Sequence, residues 1–391
     1  MFDKSRATKV LYVDHAPFWG GAEMILETHL TLLDRERFSP IVAVAMGNER
    51  AEMRFAQAGA KVVAISFGRL KTANPLVFWR WFKTIFELRE IIKREGIELV
   101  VACTSRAYYT AAVAAQLSRV PLVVWVHDFL YVKPLFKLFR LLTAGIVWSS
   151  EAVREFYGGR VSEKSQVIYN ENYFGRVLAA VSSAEGAKLR EVWGVGARDV
   201  VIGSVGRLVT AKGVAVLLRA VAILKGSVEE MGTNFKVVVV GSGGGQRGGN
   251  EDELRELVRS LGLEEGVVFV GFQEAPAVFY RAFDIFVLPS TGFESFPTAV
   301  VEAMLAGLPV VGTRKGGTVE LVDDERTGFL IPPEDPEALA AALVKLCKSP
   351  PLRETMGAAG REKAQDESAG SGSTRKMEEF FLKILGHDKA N

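Results

Sequence analysis

Cysteine is almost missing from this chain: of 391 residues only Cys103 and Cys347 are cysteine, and they lie far apart. A disulfide framework or a structural zinc site needs more thiols at closer spacing, so a reducing cytoplasm is the expected compartment. Also absent is any uninterrupted apolar run near the ~20 residues that a membrane span requires. The charged start MFDKSRATKVLYVD leads straight into a strand-like run, unlike a signal peptide. A marked excess of either charge is lacking too, since 48 basic and 46 acidic residues leave a net +2. No global field attracts nucleic acid, and any basic surface is local. These absences predict a soluble or peripheral protein without nucleic-acid partners.

What is present is alternation. A chain of 391 residues exceeds the ~250–300 at which a single core stops growing, so two domains are expected. Short β-branched runs recur between helical patterns. The first half offers 8–14, 40–46, 61–66, 98–103, 121–126, 145–150 and 166–170; the second offers 200–206, 236–243, 267–271, 285–290, 308–313 and 328–332. Nearly continuous apolar strands separated by helices mean parallel sheets covered on both faces. The pattern occurs twice and predicts an α/β protein of two doubly wound, Rossmann-like domains facing across a cleft. Strand patterns lapse between Asn172 and Arg198. The domains are expected over 1–172 and 173–373, with a final helix at about 374–388 docking back onto the first domain.

Ligands of open parallel sheets sit outside the carboxyl ends of the strands, so the loops after strands carry the candidates. GFESFPTAVVEAM follows one strand and holds Glu294 and Glu302 eight residues apart. Ser295 is the expected helix cap, and Pro297 suits the first turn. The free amides of Thr298 and Ala299 then form an anion site with the helix dipole behind it, and the carboxylates suit sugar hydroxyls. Two solvated glutamates on a buried helix are the plainer account. In GSVGRLVTAKG, Arg207 and Lys212 pair a guanidinium with an ammonium, which suits a diphosphate. A surface loop with two solvated bases is the alternative. GSGGGQRGGN (241–250) fits the dinucleotide fingerprint poorly and reads as a flexible loop. In HAPFWGGAE, Gly20 and Gly21 permit close backbone approach before a helix start, or form a plain turn. VVWVHDF sets His127 and Asp128 just past a strand end, where a structural histidine competes with a functional one.

Taken together these segments resemble the family 4 retaining glycosyltransferases of GT-B fold. FESFPTAVVEAMLAGLPVVGTRKGG resembles the family's segment with two glutamates, and GRLVTAKG the one carrying its phosphate-binding Arg and Lys. GTVELVDDERTGFLIPPEDPEALAAAL continues the likeness, and GGAE and VHD match more weakly in the first domain. Where the family has Asn-Gly-Val-Asp, this chain has Asn170 followed by Glu171.

The resemblance implies a nucleotide diphosphate-sugar donor (UDP-, GDP- or ADP-sugar) and no cofactor or metal. It implies that Glu302 accepts from the ribose and that Arg207 and Lys212 hold the diphosphate. The amides of Phe296, Thr298 and Ala299 would meet the phosphates, Glu294 and His127 the donor sugar, and Gly20 and Gly21 the diphosphate. Glu294, His127, Arg207 and Lys212 are the catalytic candidates. The implied reaction is hexosyl transfer with retained anomeric configuration. A sugar-nucleotide epimerase of the same fold and a degenerate nucleotide-sugar-binding protein are the alternatives.

For the acceptor side, 74–96 combines aromatics with Arg80, Lys83, Arg89, Lys93 and Arg94, while 129–145 carries Lys133, Lys137 and Arg140 without an acid. Basic amphipathic helices with aromatics lie on anionic bilayers, and solvated helices covering a sheet share the pattern. A glycan or lipid-linked acceptor, cell-envelope polysaccharide or glycolipid synthesis, and a position on the inner face of the membrane are the corresponding expectations. Oligomeric state is not legible.

Overall fold

A computed structural model describes residues 6–17, 19–67, 75–129, 132–171, 174–227, 232–243, 249–366 and 372–386. Among them, thirteen strands form two sheets in which every pairing is parallel. The chain divides into two compact units, Met1–Glu171 with Gly372–Asn391, and Asn172–Ser371.

The first unit contains β1 (Thr8–Val13), β2 (Phe38–Ala45), β3 (Lys61–Ile65), β4 (Leu99–Ala102), β5 (Leu122–Val126), β6 (Gly145–Trp148) and β7 (Ser165–Val167) in the order 3-2-1-4-5-6-7. The second contains β8 (Val200–Val205), β9 (Phe235–Val240), β10 (Val267–Gly271), β11 (Ile285–Leu288), β12 (Val310–Thr313) and β13 (Gly328–Ile331) in the order 10-9-8-11-12-13. Strand order reverses between β1 and β4 and between β8 and β11, which opens a crevice at each carboxyl edge. The expected doubly wound pair of sheets is what forms. Val and Ile dominate the central strands because both faces are covered by helices, leaving no solvent side to pattern.

The region where strand patterns lapse holds two helices, Phe174–Ala179 and Ser183–Val192, and both belong to the second unit. The last helix, Ser373–Ile384, buries Met377, Phe380 and Phe381 in the first unit's core beside Tyr12 and Phe38. Its N-terminus is met by Glu171, whose carboxylate accepts from the amides of Gly372 (3.2 Å) and Thr374 (2.7 Å). The residue that departs from the family's glycine thus ties the first crossing between units to the second.

Candidate functional site

In the second unit the loop after β8 carries Arg207 and Lys212, and the loop after β11 carries Ser290 and Glu294. These strands are neighbours at the order reversal, so residues remote in sequence meet. The loops are joined by backbone: the amides of Thr291 and Gly292 donate to the carbonyl of Ala211, at 3.0 and 2.9 Å. Gly213 makes this approach possible. Its φ is +69°, and a Cβ there would lie 1.8 Å from the carbonyl oxygen of Pro289. The loop after β12 closes in as well, with Gly317 N–H donating to Glu294 O (2.7 Å) and Lys315 Nζ to Thr291 O (2.6 Å).

Lys212 Nζ donates to Glu294 Oε1 at 2.7 Å and Oε2 at 2.9 Å, and the Ser290 hydroxyl also donates to Oε1. Both charged side chains are half-buried. Glu294 is thus the direct partner of Lys212, which lies outside its own segment, and the plainer account of a solvated glutamate does not hold for it. Arg207 is exposed and lines one small pocket with Lys212, Gly206 and Leu208.

The following helix runs Thr298–Leu305, and the residue before it is Pro297. Ser295 is therefore not the cap, which corrects the expectation from the sequence. No side chain caps this helix, and the first-turn amides of Thr298 and Ala299 lack acceptors within it. Proline at the cap position supplies no side-chain oxygen, so the end stays available to an external anion. Phe296 is buried and anchors the loop. Glu302, in the second turn, accepts a hydrogen bond from the Tyr280 hydroxyl at 2.7 Å. Burial holds the Glu302 carboxyl above its usual range, and the tyrosine bond opposes this only in part.

In the first unit, Gly20 precedes the helix Gly21–Leu32 with extended backbone. A Cβ on Gly20 would approach Glu23 Oε2 at 3.1 Å, whereas Gly21 has nothing within 4 Å. Hence only Gly20 is crowded by the chain itself. Glu23 and Asp14 are both buried. The Asp14 carboxyl is held well above its usual range by burial and then by Glu23. His127 follows β5 with its ring against Trp125, centroids 4.3 Å apart. Burial lowers its pKa to about 3 despite an opposing influence from the Asn170 side chain, so the imidazole is neutral. Asn170 faces the ring without reaching good hydrogen-bond geometry, and both side chains are buried.

Two family models match in tandem, "Glycosyltransferase Family 4" over residues 19–171 and "Glycosyl transferases group 1" over 187–363. An Anabaena protein, HepE, solved with UDP and glucose, superposes with a TM-score of 0.79 at 25% identity, covering 96% of this chain and 99% of that one. The chain belongs to the family 4 glycosyltransferases of GT-B fold. A Rickettsia africae glycosyltransferase shares the fold with this family 4 chain at a TM-score of 0.84 and 20% identity, covering 97% and 99% of the two chains. The D-inositol 3-phosphate glycosyltransferase of Streptomyces avermitilis is 39% identical over 163 residues, which is 41% of this family 4 chain and 35% of that relative's length.

Sequence reasoning singled out Arg207, Lys212, Glu294 and Glu302 but missed Ser290, Lys315 and Tyr280. Tyr280 lies in an apolar helix, Ala277–Ala282, and carries no local signal. Ser290, next to a strand end, could have been found by position alone. Of the glycine-rich loop 241–250, residues 244–248 fall outside the described set.

Proposed function

We propose that the chain transfers a sugar, with retention, from a nucleotide diphosphate-sugar to a glycan or lipid-linked acceptor, without a metal. The observation that carries this reading is the Lys212–Glu294 pair beside Arg207 and the uncapped start of the helix Thr298–Leu305. Two cations and free amides at one strand edge suit a departing diphosphate, whose charge they neutralise as it develops. Glu294, freed from Lys212 when that ammonium turns to phosphate, becomes an acceptor for donor-sugar hydroxyls. Glu302 takes the ribose, and the amides of Phe296, Thr298 and Ala299 take phosphate oxygens. Gly20, Gly21 and His127 are the first unit's proposed contributors. A neutral His127 acts there as a hydrogen-bonding group rather than a cation.

HepE has been solved with UDP-glucose as well as with UDP, so a UDP-sugar is the first donor to test. Thermal-shift screening with UDP, GDP, ADP and their sugars should single out one base, because a ligand at 100 times its Kd adds about 2.7 kcal/mol of stability. Nucleotide diphosphate release that requires acceptor supports transfer. Release without acceptor dependence, or conversion of the sugar with no release, favours hydrolysis or epimerisation instead.

One observation favours an acceptor at a membrane surface. Among the described residues no helix is long and apolar enough to cross a bilayer. Yet Trp79, Phe86 and Leu141 are 71%, 54% and 82% exposed. They lie on Pro75–Glu95 and Arg140–Leu142, which both pack on the helix Ser105–Ser118. Lys137 and Arg140 are exposed beside them, while the Lys133 ammonium sits 3.8 Å over the Phe156 ring. Anionic vesicles should float the protein at low salt and lose it at high salt; absence of flotation at low salt would sink this reading.

A further inference from the structure

We propose that Tyr280 is a positioning residue for Glu302, fixing its carboxylate so that the site selects ribose over deoxyribose. The inference rests on the nucleotide-sugar reading above. The Tyr280 hydroxyl lies 2.7 Å from Glu302 Oε2 and 3.5 Å from the carbonyl of Ala299, so its single proton goes to the carboxylate. The phenol cannot swing away. Tyr280 is 1% exposed, and its ring is held edge-on by Phe174 at 5.1 Å and flanked by Phe286 at 5.7 Å and Phe283 at 5.9 Å.

A glutamate side chain has several rotamers, and holding one of them costs entropy that a ligand would otherwise have to overcome. Tyr280 supplies that order in advance. It also uses only one of the roughly four acceptor positions of a carboxylate, which leaves room for both hydroxyls of a vicinal diol. Burial and the nearby carboxylate push the Tyr280 phenol well above its ordinary range, so it remains a donor at working pH. A 2′-deoxyribose keeps its 3′-hydroxyl but leaves the acceptor position held for the 2′-hydroxyl unfilled, and that mismatch is the basis of selection.

The test uses the full chain and whichever of UDP, GDP or ADP stabilises it most, together with the matching 2′-deoxy nucleotide. Calorimetric affinities are measured for the wild type, Tyr280→Phe, Glu302→Gln and the double variant. The wild type should prefer the ribonucleotide by about tenfold or more. Tyr280→Phe should reduce that ratio severalfold while binding the deoxy form about as well as the wild type. The double variant should discriminate no worse than Glu302→Gln alone, since Tyr280 acts through Glu302. An unchanged ratio in Tyr280→Phe, or additive losses in the double variant, would overturn the proposal. If the wild type binds no nucleotide, the donor reading itself fails; if it binds without ribose preference, only the assignment of Glu302 and Tyr280 fails. Should Tyr280→Phe not fold, Glu302→Asp withdraws the carboxylate from the phenol while keeping its charge, and full discrimination in that variant would refute the inference.

Discussion

Lys212 and Glu294, 82 residues apart in the chain, form a two-pronged ion pair in which one ammonium serves both carboxylate oxygens. The pair links the loops after β8 and β11 and sets the charge of the candidate site. Lys212→Ala should lower turnover by ~10²-fold or more, the cost of removing one group that stabilises developing charge. Glu294→Ala should lose turnover as well, and the double variant should fall short of the product of the single losses, because the residues act as a unit. Steady-state kinetics on the four proteins provide the check, and wild-type kinetics in Lys212→Ala would remove that residue from the site.

Gly213 stands next to Lys212 where no other residue fits. Gly213→Ala adds a Cβ against the Pro289 carbonyl and strains a positive φ, so it should destabilise the second unit by roughly 3 kcal/mol or more. Gly21→Ala meets nothing within 4 Å and should leave stability nearly unchanged. Denaturant unfolding of the two variants separates these outcomes.

Glu171 binds the open end of the last helix. Glu171→Gly removes a carboxylate from two helix amides and should cost about 1–2 kcal/mol, with faster hydrogen exchange at Gly372 and Thr374. Exchange at those amides that matches the wild type would show that the helix is held by its apolar face alone.

His127 predicts a pH dependence of definite sign. Its pKa falls from 6.5 to about 3 on folding, so the unfolded chain binds a proton between those values while the folded chain does not. The stability tied to its neutral form is complete above about pH 6.5 and is lost as pH falls towards 3. Wild type should therefore lose more stability than His127→Gln between pH 7.5 and 5, and the imidazole carbon shifts should stay constant over that range. A titration midpoint near 6.5 would contradict the buried neutral ring.

Much of this architecture was legible because its signals are local. The thirteen strands fall within a few residues of the β-branched runs, since burial on both faces demands continuous apolar side chains. Arg207, Lys212, Glu294 and Glu302 were legible as candidates because glycines and charges after strands mark a carboxyl edge. The start of the helix at Thr298 was misread: Ser295 has the chemistry of a cap, but the loop is held by Gly316 and Gly317, which pass against the backbone of Glu294 and Ser295.

The sequence alone therefore determined two doubly wound units and the residue types available at their strand edges, because periodicity and turn chemistry act over a few residues. Only the tertiary structure decided which of those residues touch. Lys212 meets Glu294 because β8 and β11 are sheet neighbours. Tyr280 meets Glu302 because their helices pack beside β11, and Glu171 reaches Thr374 where the chain returns to the first unit. Such pairings depend on strand order and on packing across tens or hundreds of residues, a scale on which local patterns carry no signal.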